Sequence, residues 1–300
     1  MAGLQAETSA LTWLAPDLRR LRAKNPSPMT GTGTNSYLLG QGEVVLIDPG
    51  PDLAGHREAL LACLQSGERI AAILVSHCHL DHSGGAAALA QATGAPVLGF
   101  GSAGSGRSLV MERLAAEGLK GGGEGMDLGF RPDQRLQDGV VLVFGHLVLE
   151  VLHTPGHTGC HLGFAAGDRL FSGDHVMGWS TSLVSPPEGD MTQYRASLQR
   201  LASRDWSMIY PGHGDEIRDP VARLAYLARH RTEREAEILA ALAVMPLTPD
   251  AITRRIYMGI SAGLIGAARR NVLAHLIDLT ERGLVAPFGT PLAETGFQRL

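Results

Sequence analysis

No run of about 18 or more apolar residues occurs in this 300-residue chain, so a membrane-spanning helix is not expected. The N-terminus has no signal-peptide core, and Glu7 and Asp17 break the acid-free pattern of a transit peptide. The cytoplasm is therefore the expected compartment. Cysteine is scarce: Cys63, Cys78 and Cys160 are an odd number without framework spacing, which argues against a disulfide-stapled domain and for reduced thiols. Charged residues make up only 19% of the chain and the net charge is -4, so the chain as a whole carries no polyanion-binding signal. With 44% apolar residues it can bury one large core and still have length for a second, small domain.

Against this background one hexapeptide stands out. His77-Cys78-His79-Leu80-Asp81-His82 places three imidazoles and a carboxylate directly after the apolar run Ile70 to Val75, where a buried strand would end. In extended backbone His77 and His79 project to one side, and Asp81 and His82 reach back from the following turn, so one short segment can feed two adjacent metal positions. Three further turns carry the same chemistry: His153-Thr154-Pro155-Gly156-His157-Thr158-Gly159-Cys160-His161, Phe171-Ser172-Gly173-Asp174-His175, and Ile209-Tyr210-Pro211-Gly212-His213-Gly214. Each follows a short apolar run.

The order HxHxDH, GHT, GD, PGHG resembles the metallo-beta-lactamase superfamily over about residues 30 to 215. The resemblance implies an α/β fold, the αββα sandwich of two facing sheets with helices outside. It also implies two zinc ions, or another divalent metal: His77, His79 and His157 would hold one, Asp81, His82 and His213 the second, and Asp174 would bridge them. A zinc ion lowers the pKa of its water from about 15.7 to about 7, and a second ion can polarise the scissile oxygen. Asp81, close to that water, is the expected proton acceptor. Imidazole ligands keep such ions Lewis acidic, whereas thiolates would quench them, so the set reads as catalytic. Cys78 and Cys160 read as core thiols. His161 is open between a place facing the substrate or supporting a ligand and simple burial. His175 and His153 read as neighbours of the site, and Trp179 as either stacking on a flat substrate group or packing under its loop.

The coarse pattern alternates as an αββα sandwich should. Strands are expected at Val44 to Ile47, Ile70 to Val75, Pro96 to Gly99, near 140 to 152 and 161 to 172, and at Ser207 to Tyr210. Helices are expected at Leu53 to Leu64, Gly85 to Ala92 and Met191 to Ala202. Gly101 to Ser108 imitates a phosphate loop but lacks its lysine, so residues 99 to 131, with the Gly-rich 121 to 125, read as a flexible surface loop near the site.

A boundary is expected between residues 218 and 219, where Asp219-Pro220 caps a helix running to about Ala243. Thr248-Pro249 opens a short helix to Tyr257, a longer one spans about Ala267 to Arg282, and Gly283 begins a hairpin. This is a winged-helix pattern, and with it the resemblance extends to bacterial and animal beta-lactamase-like proteins, including endoribonucleases, that carry such a tail. From Val221 to Leu300 there are ten Lys/Arg against seven Asp/Glu, with 16 against 23 in the remainder. Arg269 and Arg270 would open the recognition helix, although Asp278 and Glu281 follow on it. The tail reads as a packing module for the cleft or a dimer interface, with nucleic-acid binding the alternative. The leading function is a binuclear zinc hydrolase of a small or medium ester, thioester, lactone or related substrate. A metal-dependent endoribonuclease acting on single-stranded RNA is second, and a nucleic-acid-binding regulator with structural metals third.

Overall fold

The computed structural model describes residues 11–122, 125–290 and 292–300. Glu7 of the leader reading, and Gly123 and Glu124 of the Gly-rich run, lie outside the described residues.

Two sheets face each other. The first contains β1 (Leu11–Ala15), β2 (Leu18–Arg22), β3 (Asn35–Leu39), β4 (Glu43–Ile47), β5 (Arg69–Leu74), β6 (Val97–Gly99) and β7 (Gln134–Arg135), in that spatial order. It is antiparallel up to β4 and parallel from β4 to β7. The parallel crossovers from β4 to β5 and from β5 to β6 are made by α1 (Ala54–Ala62), and by the short α2 (Leu80–Ser83) with α3 (Ala86–Thr93). Gly94 ends α3 in the left-handed conformation that a residue with a Cβ rarely adopts. The second sheet contains β8 (Val141–Phe144), β9 (Leu147–His153), β10 (Leu162–Ala166), β11 (Arg169–Gly173) and β12 (Met208–Pro211), in the order β12-β11-β10-β9-β8. Its parallel pair, β11 with β12, is joined through α5 (Met191–Ala202).

Side-chain alternation divides the apolar residues into layers. Val45 and Ile47 of β4 pack between the sheets with Val151, Phe164 and Phe171, while Val44 and Leu46 point outward under α1 and α3 with Leu60 and Leu89. Both faces of β4 are thus buried, which is why it reads as an unbroken apolar run. The outer face of the second sheet, through Leu152 and Leu170, is covered by Tyr194 and Leu198 of α5 and by Leu224 and Leu227.

Strands β1 to β3 precede the first strand expected from sequence. Three arginines disguise β2, two of them buried: Arg19 is 1% exposed and forks onto Glu68 at 2.7 and 3.0 Å.

The tail follows its expected pattern: α6 (Pro220–Leu242), α7 (Pro249–Ile256), a 3-10 turn at Ala262–Leu264, α8 (Ile265–Glu281) and the hairpin β13 (Val285–Pro287) with β14 (Phe297–Arg299). Asp219 caps α6 by accepting from the Ala222 N–H, with Pro220 in its first turn. The region from 99 to 131 is not the flexible surface loop expected. It contains α4 (Leu109–Ala116), capped by Ser108, and Met111 and Leu114 of that helix are buried in the tail's core with Ile238, Leu276 and Phe297. The glycine before it, Gly106, is there for close approach. A Cβ at Gly106 would lie 2.2 Å from the Gly159 carbonyl oxygen, so this phosphate-loop mimic packs on the His157 turn.

Candidate functional site

The strand ends after β4, β5, β9, β11 and β12 gather at one edge of the sandwich, and the sequence-identified residues gather with them. His77 Nε2 lies 2.9 Å from His79 Nδ1, which lies 3.1 Å from His157 Nε2. His82 Nε2 and His213 Nε2 are 3.3 Å apart, and Asp81 Oδ2 is 3.5 and 3.4 Å from them. Asp174 stands between the two groups: its Oδ2 is 3.2 Å from His213 Nε2 and 3.8 Å from His157 Nε2, and its Oδ1 is 3.4 Å from His82 Nε2. His77, His79 and His157 form one set that could hold a metal ion, and Asp81, His82 and His213 another. Between Pro211 and His213 only glycine fits, because a Cβ at Gly212 would lie 2.3 Å from Asp174 Oδ1.

The outward nitrogens decide what the inward ones can do. His157 Nδ1 donates to the Leu183 carbonyl at 2.7 Å and His213 Nδ1 to the Gly33 carbonyl at 3.2 Å. His82 Nδ1 donates to Asp48 Oδ2 at 2.8 Å. Asp48 also takes the Ser76 hydroxyl at 2.8 Å, so Ser76 Oγ is left to accept from His77 Nδ1 at 3.0 Å. Each partner can only accept in these contacts, so each neutral ring turns a lone pair inward from Nε2. Asp48 was missed from sequence. It is 2% exposed and has φ 52°, a left-handed conformation that aspartate tolerates. Its only signal is an Asp-Pro-Gly turn after an apolar strand, which looks like ordinary punctuation.

The electrostatics fit a cation. Burial and the neighbouring imidazoles hold His77 well below its usual range, and burial brings His79 down to about 3. Burial opposes protonation of His82 too, but Asp174, Asp81 and Asp48 outweigh it and raise that ring well above its usual value. Asp174 is held well below the carboxylate range: burial opposes its charge, and His213 and His82 outweigh it. Its Oδ1 is nevertheless buried without a hydrogen-bond partner. Inward lone pairs, two carboxylates and an unanswered anionic oxygen are the donor set of a divalent metal site.

His161 and His175 are both fully buried and do not line the cleft over this cluster. The Asp174 N–H donates to His161 Nε2 at 3.2 Å, which leaves His161 Nδ1 to donate to Thr154 Oγ1 at 2.8 Å. His161 thus supports the turn that carries Asp174. His175 packs against Tyr194, 4.5 Å between ring centres, with neither nitrogen hydrogen-bonded. His153 donates to the Gly159 carbonyl at 2.8 Å and stacks on Phe100. Cys78 and Cys160 are core thiols, 3.4 Å apart. Trp179 is half exposed and lines the cleft, with its ring edge close over Gly31 and Gly214.

The cleft has a volume of about 840 Å³, and His79, Asp81, His157, Asp174 and His213 open into it. A separate groove of about 630 Å³ between α5 and α6 carries none of these residues. The tail supplies the opposite wall of the cleft through Tyr257, Leu264, Arg269 and Arg270. It also grips the segment after Asp174. Arg223 donates to the Met177 and Ser180 carbonyls, Arg231 to the Ser182 carbonyl, and Asn271 Oδ1 accepts from the Val184 N–H at 3.0 Å. The last two contacts flank Leu183, whose carbonyl fixes His157. Helix α8 is far from a free recognition helix: Val272 to Leu279 are all buried.

A family model described as the metallo-beta-lactamase superfamily matches residues 29–213, and one described as a beta-lactamase associated winged helix domain matches residues 248–289. A relative from Drosophila melanogaster, named beta-lactamase-like protein 2 homolog, is 31% identical, with 91% of each chain covered. An atrochrysone carboxyl ACP thioesterase from Aspergillus fumigatus is 30% identical over 76% of this chain and 66% of its own. The crystal structure of a metallo-beta-lactamase family protein from Thermus thermophilus superposes with a TM-score of 0.76 at 26% identity, covering 96% of this chain and 100% of the other. Motifs, fold and relatives agree: the chain belongs to the metallo-beta-lactamase superfamily of hydrolases, with a winged-helix domain at its C-terminal end.

Proposed function

We propose that this protein is a two-metal hydrolase, zinc being the expected metal, that cleaves a small or medium ester or thioester, with lactones and related acyl compounds in the same class. The observation that carries the reading is the inward-facing lone pairs around Asp174, buried at the floor of an open cleft. His77, His79 and His157 would hold one ion, Asp81, His82 and His213 the other, and Asp174 both. When bound, such ions supply an acidified water and a Lewis acid for the acyl oxygen.

The chain's own residues do the rest. Asp81 is the more exposed of the two carboxylates, 26% against 10% by side chain, and lines the cleft, so it is placed to take a proton at its carboxylate. Thr34 donates to Asp81 Oδ2 at 2.8 Å and holds the carboxylate in that orientation. Asp48, Ser76 and the Leu183 carbonyl keep the imidazoles turned inward. Trp179 forms part of the cleft wall against which a flat substrate group can lie.

The thioester arm is supported by the relative named as an ACP thioesterase. Burial of α8 supports the tail as a packing module rather than a reader of nucleic-acid grooves, which ranks the endoribonuclease second and the metal-structured regulator third. We further propose that the chain divides between residues 218 and 219, and that its free thiols act in a reducing compartment, the cytoplasm. The test is metal analysis of purified protein, followed by parallel assay on thioesters, esters, lactones, beta-lactams, phosphodiesters and single-stranded RNA. About two metal ions per chain with acyl-compound turnover is the expected result. RNA cleavage without it would replace this reading with the second.

A further inference from the structure

Two members of the second ligand set, Asp81 and His213, are held from one short loop that supplies no ligand itself. His213 Nδ1 donates to the Gly33 carbonyl at 3.2 Å, and Asp81 Oδ2 accepts from the Thr34 hydroxyl at 2.8 Å, so the two anchors are adjacent residues. Both lead back to Asn25. The Thr34 N–H donates to Asn25 Oδ1 at 3.0 Å, and Asn25 Nδ2 donates to Thr34 Oγ1 at 2.9 Å. Chemistry fixes these roles. A main-chain N–H can only donate, so the amide atom facing it is the oxygen, and the atom facing the hydroxyl is the NH2 nitrogen, which can only donate in turn. Thr34 Oγ1 therefore accepts from Asn25 and has its single proton left for Asp81. The Thr34 N–H and the Gly33 carbonyl also belong to one planar trans peptide and point to opposite sides of it. Fixing the N–H on Asn25 fixes the carbonyl on His213. The loop has little room to shift: Thr34 is fully buried, and Thr30 Oγ1 donates to the Asn25 carbonyl at 2.6 Å. A Cβ at Gly33 would lie 1.9 Å from the Ala23 carbonyl oxygen. The other rings are oriented from elsewhere, His77 by Ser76, His157 by the Leu183 carbonyl and His82 by Asp48.

We propose that Asn25 is a positioning residue for the second metal position alone, setting Asp81 through the Thr34 hydroxyl and His213 through the Gly33–Thr34 peptide. It rests on the two-metal reading above and goes beyond it, by assigning selective control of one position to a residue that is not a ligand. Asp81 Oδ2, the oxygen that Thr34 holds, is also the one 3.5 Å from His82 Nε2 and 3.4 Å from His213 Nε2. Thr34 thus keeps Oδ2 on the ligand side. With Oδ2 engaged there, Oδ1 is the oxygen left to take a proton, and Asp81 lines the cleft. Groups that orient metal ligands in this way change metal affinity by about 10- to 100-fold when they are removed. Here that loss falls on the Asp81, His82 and His213 position and spares the three-histidine position.

The experiment is titration of metal-free protein with zinc against a chelating indicator, with His79→Ala identifying the step that belongs to the three-histidine position. Thr34→Val keeps the side chain's shape and the peptide contact but removes the hydroxyl, and should weaken the other step by about tenfold. Thr34→Ser restores the hydroxyl and should restore the affinity. Asn25→Asp keeps an acceptor for the Thr34 N–H but puts a second acceptor where the donor was, drawing the Thr34 proton away from Asp81. It should weaken the same step, although its added negative charge by itself would strengthen cation binding at both. Circular dichroism of the metal-free variants confirms that they fold. In metal-free protein the His213 Nδ1–H, followed by NMR, should exchange faster with water in Asn25→Ala than in the wild type. A wild type that takes up only one ion would count against the two-metal reading, whereas this exchange rate would still judge Asn25. Equal weakening of both steps, weakening of neither, or an exchange rate unchanged by Asn25→Ala would overturn the inference.

Discussion

Two places in this molecule bury many polar groups, and they bury them in opposite ways. At the seam between α5, α6 and α8 the groups answer one another: Glu235 receives both Arg195 and Arg282, the latter at 2.7 Å, and Thr192 donates to Asp278 at 2.6 Å. Arg231, 1% exposed, donates to the Ser182 carbonyl and Asn271 and lies 4.7 Å over the Tyr194 ring. The exceptions are His275, whose two nitrogens are buried without partners and whose pKa burial pushes well below the usual range, and single atoms of Arg231 and Asp278, Nε and Oδ2, that lack a hydrogen bond. At the edge of the sandwich the polar groups face each other lone pair to lone pair, nitrogen against nitrogen, around a buried oxygen with no hydrogen bond. Matched burial fixes the position of parts; unmatched burial is a demand for something to be bound.

The largest test of that contrast is removal of metal. Chelation should abolish hydrolysis and lower the melting temperature, because binding to the native state alone adds about 2.7 kcal/mol at a hundredfold excess over Kd. His79→Ala should shrink the chelator-dependent shift, while a seam variant such as Thr192→Ala should leave it in place. A shift that survives His79→Ala would mean the metal binds elsewhere.

Next in size is Asp81→Asn, which keeps the shape and removes the charge. Turnover should fall by about 10²-fold or more with the fold intact, measured on protein of verified metal content. Near-normal turnover would remove Asp81 from the role of proton acceptor.

Arg231→Met joins the two regions and should show a mixed effect. Loss of the buried guanidinium leaves the Ser182 carbonyl unanswered and should cost about 1 to 3 kcal/mol in denaturant unfolding. If the Arg231 grip on the 177–185 segment also steadies the Leu183 carbonyl, metal affinity should drop by about tenfold in chelator competition. Stability loss without any change in metal affinity would show that the seam and the site are uncoupled.

The smallest effect belongs to Asp17, on the β1–β2 turn, which pairs with Arg169 on β11 at 2.8 Å. The hydrogen bond from Arg169 lowers the Asp17 pKa below its ordinary value, against the opposing effect of burial. A lowered carboxylate stabilises the fold above its unfolded pKa and ceases to do so as pH falls through the folded value. Asp17 is 36% exposed by side chain, so Asp17→Asn should cost less than about 1 kcal/mol near neutral pH, and the cost should vanish in acid. An equal cost at pH 7 and in strong acid would remove the ion pair as its cause.

The sandwich and the metal-type residues were legible from sequence because their signal is local: each sits within a few residues of a strand end, in a turn whose glycines have no other reason to adjoin histidines. Asp48 was not legible because its partner His82 is 34 residues away and its turn is ordinary. The grip of the tail was hidden for the same reason. Arg223 and Arg231 lie on α6, and their acceptors, the Met177, Ser180 and Ser182 carbonyls, are 46, 43 and 49 residues away in sequence. Helix α4 was concealed by flanking glycines: Gly106 before it packs closely on Gly159, and Gly118 after it takes a positive φ of 96°.

His157 takes its orientation from a main-chain oxygen, that of Leu183. Every amino acid has that oxygen, so no substitution at position 183 deletes it, and a mutational scan would register only the loss of leucine packing there. Whatever variation other members of this lineage show at that position, the orienting contact is inherited with the backbone path, and the tail residues that shape the path are where drift would be felt.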